Sequence, residues 1–294
     1  MSTIKTTESW RTVIACALLA LVLAGCSLLP SGKDETAGWS AEQLYREAHG
    51  ALISGNYTRA VKLFESLEAR YPYGRYAQQA ILEGAFANWR AGEPAAAIAN
   101  TDRFIRTYPN HPNVDYAYYL RGLVHFREDQ GIFGYVYELD LSERDPKEMR
   151  SSFAAFKELT TRFPESQYYE DAIARMKFLN NALGTYEVKV ARYYFNRGAM
   201  IAASNRAQNS LVNNPQTPSN AEALAVMVAS YDKLGLTQLA DDSRQILAKT
   251  FPDSRYVKGV PDKPWWQIWS PQDTTFGVIP TGELATKPWW QFWD

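Results

Sequence analysis

Apolar side chains between residues 40 and 252 recur at helical spacing. Leu44, Ala48, Ala51 and Leu52 line one face ahead of Gly55, and Ala60, Val61, Phe64 and Leu67 line another after it. Sustained strand-type alternation is absent. The helical pattern is punctuated by a recurring triplet: Gly, a small residue five positions later, and Pro twelve positions after that. Gly55, Ala60 and Pro72 fit it, as do Gly92, Ala97 and Pro109; Gly198, Ala203 and Pro215; and Gly235, Ala240 and Pro252. Lys147, Ser152 and Pro164 form a degenerate copy. The Gly permits a left-handed turn between two helices, the small residue lets them approach where they cross, and the Pro stops the second helix. The pattern predicts five helix pairs, 40–72, 74–109, 112–164, 166–215 and 219–252. The third pair carries an insertion, 129–146, expected to be a loop between its helices. The fourth has ~15 extra residues before Gly198, so its first helix should be long or broken near Gly184.

The spacing from Gly55 to Gly92, and from Gly198 to Gly235, is 37 residues. Counting back from Pro72 reproduces most small and large positions of the tetratricopeptide repeat (TPR), whose period is of this order. The expected fold is all-α, a TPR α-solenoid of about five helix pairs over residues 40–252. The repeat residues specify architecture, not chemistry, and such arrays by default present surfaces to peptides or proteins.

The two ends have a different character. Val13 to Leu23 is an unbroken apolar run, too short to span a bilayer, which needs ~20 residues, but suited to a signal-peptide core. It leads into Leu23-Ala24-Gly25-Cys26, which resembles the lipobox of bacterial lipoproteins. That resemblance implies a signal peptide at 1–25, acylation of Cys26 through a thioether (a palmitate-bearing lipid), and loss of Cys16 with the signal. No thiol then remains for a disulfide. Ser27 after the Cys implies sorting to the outer membrane. Residues 26–39 form a tether. At the other end, 253–294 is a Pro/Trp-rich C-terminal extension. Lys263-Pro264-Trp265-Trp266-Gln267-Ile268-Trp269 recurs as Lys287-Pro288-Trp289-Trp290-Gln291-Phe292-Trp293, 24 residues on. Each copy could anchor in a partner's groove, rest at a membrane interface, or pack back on the last helix of the array.

Composition narrows the function. The 294 residues carry 31 Lys+Arg against 32 Asp+Glu, a net charge of −1, which excludes a polycation built for nucleic acid. At 46% hydrophobic and 21% charged the chain is not a disordered polyelectrolyte. With three histidines and acids scattered over helix faces, no acid/base pair or nucleophile has catalytic spacing, so the chain is expected not to be an enzyme. Asp140, Glu143 and Asp145 lack the spacing of a calcium-binding loop. His111, in Asn110-His111-Pro112-Asn113, is expected to cap or line a turn. No metal site and no cofactor are expected beyond the covalent lipid on Cys26.

Three blocks exceed the generic repeat: Arg70 to Ala80; Asp102 to Arg106 with Pro109 to Tyr119 and Arg121-Gly122-Leu123; and Arg144-Asp145-Pro146, Ser166-Gln167-Tyr168, Tyr186-Glu187, Val190 to Tyr194, Arg197-Gly198-Ala199 and Asn205-Arg206. Together with the lipobox they closely resemble the BamD family, the TPR lipoproteins of the β-barrel assembly machinery. The resemblance covers roughly Cys26 to Pro252. It implies a non-catalytic scaffold on the outer membrane, facing the periplasm, whose partners are the POTRA region of BamA, BamC and BamE where present, and unfolded outer-membrane β-barrel substrates. It implies BamA contacts at Arg206, Asn205 and Arg197. Another periplasmic TPR lipoprotein, serving cell-envelope or pilus assembly, is the alternative. From the residues alone, Tyr71, Tyr73, Tyr76, Tyr108, Tyr116, Tyr118 and Tyr119 gather at repeat junctions beside Arg75, Arg103 and Arg106. Tyrosine offers contact area with a hydroxyl, and Arg can clamp a carboxylate. Tyr71, Tyr73, Tyr76, Arg75, Arg103 and Tyr116 are therefore the expected substrate-peptide surface.

Overall fold

A computed structural model describes residues 35–126 and 146–258. The helices are α1 (Ala41–Ile53), α2 (Tyr57–Arg70), α3 (Arg75–Arg90), α4 (Pro94–Thr107), α5 (Val114–Phe126), α6 (Pro146–Arg162), α7 (Tyr169–Asn196), α8 (Met200–Asn213), α9 (Asn220–Leu234), α10 (Thr237–Thr250) and the short α11 (Arg255–Lys258). From α1 to α10 each helix packs on the next in chain order, giving the five expected antiparallel pairs. The described residues contain no strand. The fold is an all-α TPR solenoid.

The triplet does the work its chemistry predicts. The small residues Ala60, Ala97, Ser152, Ala203 and Ala240 are all buried. In the degenerate copy the Ser152 hydroxyl donates to the Gly122 carbonyl at 2.9 Å, so the α5–α6 crossing is satisfied as well as close. The turns at Gly55, Gly92, Gly198 and Gly235 have φ between 72° and 85°, a region that side chains with a Cβ resist. α2, α4, α8 and α10 stop at Tyr71, Tyr108, Asn214 and Phe251, each driven out of helical geometry by the Pro that follows.

One open alternative is decided and one boundary is corrected. Of the two forms expected for α7, long or broken near Gly184, the long one is found: it runs unbroken for 28 residues. The glycine instead makes room for the α8–α9 turn, because a Cβ there would lie 2.8 Å from the hydroxyls of both Thr217 and Ser219. Pro146 belongs not to the insertion loop but to the first turn of α6, where a missing N–H costs nothing. The rest of the insertion, 129–145, lies outside the described residues. So do the signal segment, Cys16, Cys26 and both tryptophan motifs.

The last residues of the expected tether are docked. The Arg70 guanidinium donates to the Thr36 carbonyl and, at 2.6 Å, to the Thr36 hydroxyl; the Tyr71 hydroxyl donates to the Trp39 carbonyl at 2.8 Å. Residues 36–39 are thus fastened to the end of α2. Among the described residues no helix is long and apolar enough to cross a membrane.

Candidate interaction surfaces

The turn between α2 and α3 carries Tyr71, Tyr73, Arg75 and Tyr76. Gly74, at φ 97°, lets the chain reverse just after Tyr73 and begin α3 at Arg75. Tyr73 is 90% exposed, an extreme value for a large aromatic. Beside it, Arg75 donates to the Tyr76 hydroxyl at 2.9 Å and lies 4.8 Å from the centre of that ring. Tyr76 is half-buried and leans on Tyr45 at 5.3 Å. Arg103 reaches the same end of α2 from α4, pairing with Glu68 at 2.6 Å, three residues before Tyr71. Burial pushes the Glu68 carboxyl up, against the pull of the Arg103 guanidinium. Five of the six expected surface residues therefore border the α2–α3 turn.

Tyr116 does not. It is 2% exposed and packs on Tyr168 with ring centres 5.6 Å apart. Burial holds its phenol well above the ordinary range. The cause is α5 itself, where ten of 13 residues are buried, because α3, α4 and α6 all contact it. Tyr118 and Tyr119 are core residues for the same reason. The Tyr119 hydroxyl donates to Asp171 at 2.6 Å, and Tyr118 lies between the guanidinium groups of Arg121 and Arg162. His111 accepts the Asn113 N–H at 3.1 Å and packs edge-on against Phe104, in keeping with a turn residue; burial lowers its pKa.

Beneath the tyrosine turn lies a buried polar knot. Glu83, fully buried on α3, accepts the Tyr45 hydroxyl at 2.6 Å and meets His49 Nδ1 at 2.8 Å. Desolvation raises its pKa despite the neighbouring His49. The knot ties α1 to α3 and fixes Tyr45, the platform on which Tyr76 rests. A second knot, Tyr119–Asp171–Arg175, joins α5 to α7, with the fully buried Arg175 donating to Asp171 at 2.6 Å and lying over Phe126. Sequence reasoning passed over both. The signal for the first was a single Glu inside the small and apolar run Ala80 to Ala87.

The expected BamA contacts cluster at the α7–α8 turn. Arg197 ends α7 and lies over the ring of Tyr193, itself 54% exposed. Asn205 is exposed on α8. Arg206 is half-buried and donates to Glu187 Oε2 at 3.1 Å, while Arg150 holds the other oxygen at 3.0 Å. Glu187 is almost wholly buried, so Arg206 is part structural, clasped to α7 through one nitrogen. Among the described residues no cluster of three or more His, Cys, Asp or Glu side chains could hold a metal ion.

A TPR array with an aromatic–arginine turn at one end and an arginine-bearing turn near the other defines a scaffold class, and the sequence comparisons specify it. Residues 38–247 match the family model YfiO, described as outer membrane lipoprotein. The chain is 46% identical to the outer membrane protein assembly factor BamD of Neisseria meningitidis, over 88% of this chain and 99% of that one. It is 40% identical to the BamD of Xylella fastidiosa, over 82% and 84%, and 37% identical to that of Vibrio cholerae, over 78% and 95%. The chain belongs to the BamD family of outer membrane lipoproteins.

Proposed function

We propose that this protein is a non-catalytic scaffold that assembles outer-membrane β-barrel proteins, tethered by a lipid on Cys26 to the outer membrane and facing the periplasm. In this reading the α7–α8 turn, with Arg197, Asn205 and Arg206, receives the POTRA region of BamA. The α2–α3 turn receives the unfolded barrel substrate. BamC and BamE are further partners where the cell makes them. The observation that carries the reading is the near-complete exposure of Tyr73 beside Arg75. A chain that hides Tyr116, Tyr118 and Tyr119 in its core leaves this aromatic in water, next to a cation able to take a carboxylate. A barrel strand ending in an aromatic residue and a free carboxylate is its chemical complement. Identity spread over almost the whole length of the Neisseria relative favours this reading over a scaffold for pilus or other envelope assembly.

The test is site-specific photocrosslinking from position 73 to a synthetic peptide with the last strand of an outer-membrane barrel. Crosslinking should fall about tenfold with Arg75→Ala, or when the peptide carboxylate is amidated. Equal labelling of the amidated peptide would refute the carboxylate clamp.

A further inference from the structure

Arg75 carries no ion pair among the described residues, and its side chain is exposed at the α2–α3 turn. Glu42, in the first turn of α1, is close enough to be felt but not to pair. A loose arginine loses rotamer freedom when it takes a carboxylate in a fixed fork, and that loss weakens binding. Here most of the ordering is done beforehand. The guanidinium donates to the Tyr76 hydroxyl at 2.9 Å and lies 4.8 Å from the centre of that ring.

Tyr76 is half-buried and would swing if nothing stopped it. Its ring meets Tyr45, 5.3 Å away, and Tyr45 is held twice: it stacks on His49 at 5.6 Å, and its hydroxyl donates to Glu83 at 2.6 Å. The other oxygen of Glu83 meets His49 Nδ1 at 2.8 Å, so neither ring can leave its place without breaking a bond to a fully buried carboxylate. A line of contacts thus runs from Glu83 in the core through Tyr45 and Tyr76 to Arg75 in water. Tyr76 and Glu83 lie seven residues apart on α3, on one face of the same rigid helix.

The α6–α7 turn is built in the same way. Gln167 donates to the Tyr168 hydroxyl at 3.1 Å, Tyr168 stacks on Tyr119 at 4.5 Å, and Tyr119 donates to Asp171 at 2.6 Å. Two differences set the turns apart. Gln167 is neutral, and Glu165 stands two residues before it, where Tyr73 stands two before Arg75. The α6–α7 line therefore ends in an amide beside an acid, and the α2–α3 line in a cation beside an aromatic. Of the two, only the second can draw in a carboxylate.

We infer that Glu83 is a positioning residue for carboxylate recognition at the α2–α3 turn: by fixing Tyr45 it fixes Tyr76, and through Tyr76 it aims Arg75 at the terminus of the incoming peptide. The inference rests on the reading of this turn as the substrate surface. It makes selectivity for a free carboxylate depend on a residue that no peptide touches.

The test uses the full chain with the photoreactive group at position 73. It reads the ratio of labelling between the free-acid peptide and its amide. That ratio does not depend on the fraction folded, because both peptides meet the same molecules. It should be about tenfold with no other change, and fall to about threefold or less with Tyr45→Phe, Tyr76→Phe or Glu83→Ala. Glu83→Gln, which keeps an acceptor for Tyr45, should hold it above about fivefold. Each Tyr→Phe change cuts the line at one hydroxyl and leaves every ring in the core. A ratio near ten that survives either of them would overturn the inference and leave the clamp standing. A fall with Glu83→Gln as deep as with Glu83→Ala would overturn it too. Equal labelling by acid and amide in the chain with no other change would instead remove the clamp, and the inference with it.

Discussion

A side chain on Gly122 would collide with the ring of Phe156: its Cβ would lie 2.5 Å from the nearest ring carbon, where α5 crosses α6. The bare backbone and the aromatic face are shaped to one another, and Ser152 fastens the same spot by its hydrogen bond to Gly122. Gly122→Ala should therefore destabilise the array by about 1–3 kcal/mol through overpacking. Gly50→Ala is the control, since no atom lies within 4 Å of a Cβ built there and its φ is not positive. It should be neutral or stabilising by up to about 1 kcal/mol. Urea denaturation followed by circular dichroism decides; equal midpoints for the two variants would contradict the packing argument.

The Glu83 knot makes a prediction about pH. Burial raises the Glu83 carboxyl above its ordinary value of 4.5, so the folded chain keeps this proton to a higher pH than the unfolded chain does. Folding takes up a proton in that window. The contribution of Glu83 to stability is fully present below the unfolded value and is lost as pH rises through the folded one. Glu83→Gln keeps an oxygen for the Tyr45 hydroxyl and an N–H for His49, and should flatten the fall in stability above pH 4.5. Glu83→Ala removes the acceptor for Tyr45 and should cost about 1–3 kcal/mol at every pH. Unfolding curves at a series of pH values check both.

Arg150 and Arg206 share one carboxylate, that of Glu187, and should not act independently. Either Arg→Ala change leaves the other guanidinium in place, and both arginines keep part of the side chain in solvent, so each alone should cost about 0–1 kcal/mol. The double variant strips a buried carboxylate of both, and its cost should exceed the sum by about 0.5–3 kcal/mol.

Partner binding should separate the same two arginines. Recovery of BamA with the tagged protein should fall with Arg206→Ala and hold with Arg150→Ala. Matching losses would mean that only the Glu187 network matters.

Attachment to the membrane should depend on one sulfur. Cys26→Ala should leave helical content unchanged while the protein, expressed without its partners, moves from the membrane fraction to the soluble periplasm. A variant that still sediments with membranes would refute the lipid anchor.

The helix pairs are legible because their boundaries are local chemistry: a glycine that readily takes φ near 80°, and a proline that cannot continue a helix past its first turn. Gly184 leaves its helix either long or broken on sequence alone, because a glycine inside a helical run looks the same whether it breaks the helix or admits a neighbouring loop, and the neighbour here is 30 or more residues away in sequence. The residue type of Tyr116, in a block rich in Tyr and Arg, points to the surface. Its burial depends on α5 being enclosed by three other helices, which the spacing along α5 does not encode. The same holds for Arg175, which is charged, helical and wholly interior. By contrast Tyr73 and Arg75 could be found, since a Tyr-Pro-Tyr-Gly-Arg-Tyr turn between two helices has little core to enter.

The clasp of Arg70 on Thr36 sets the length of a leash. Ten residues separate Cys26 from Thr36, and a fully extended chain covers ~3.5 Å per residue. With Cys26 acylated, the free end of α2, and with it Tyr73, cannot stray more than about four nanometres from the leaflet that holds the lipid. An emerging barrel strand would thus be met within one bilayer's thickness of its destination.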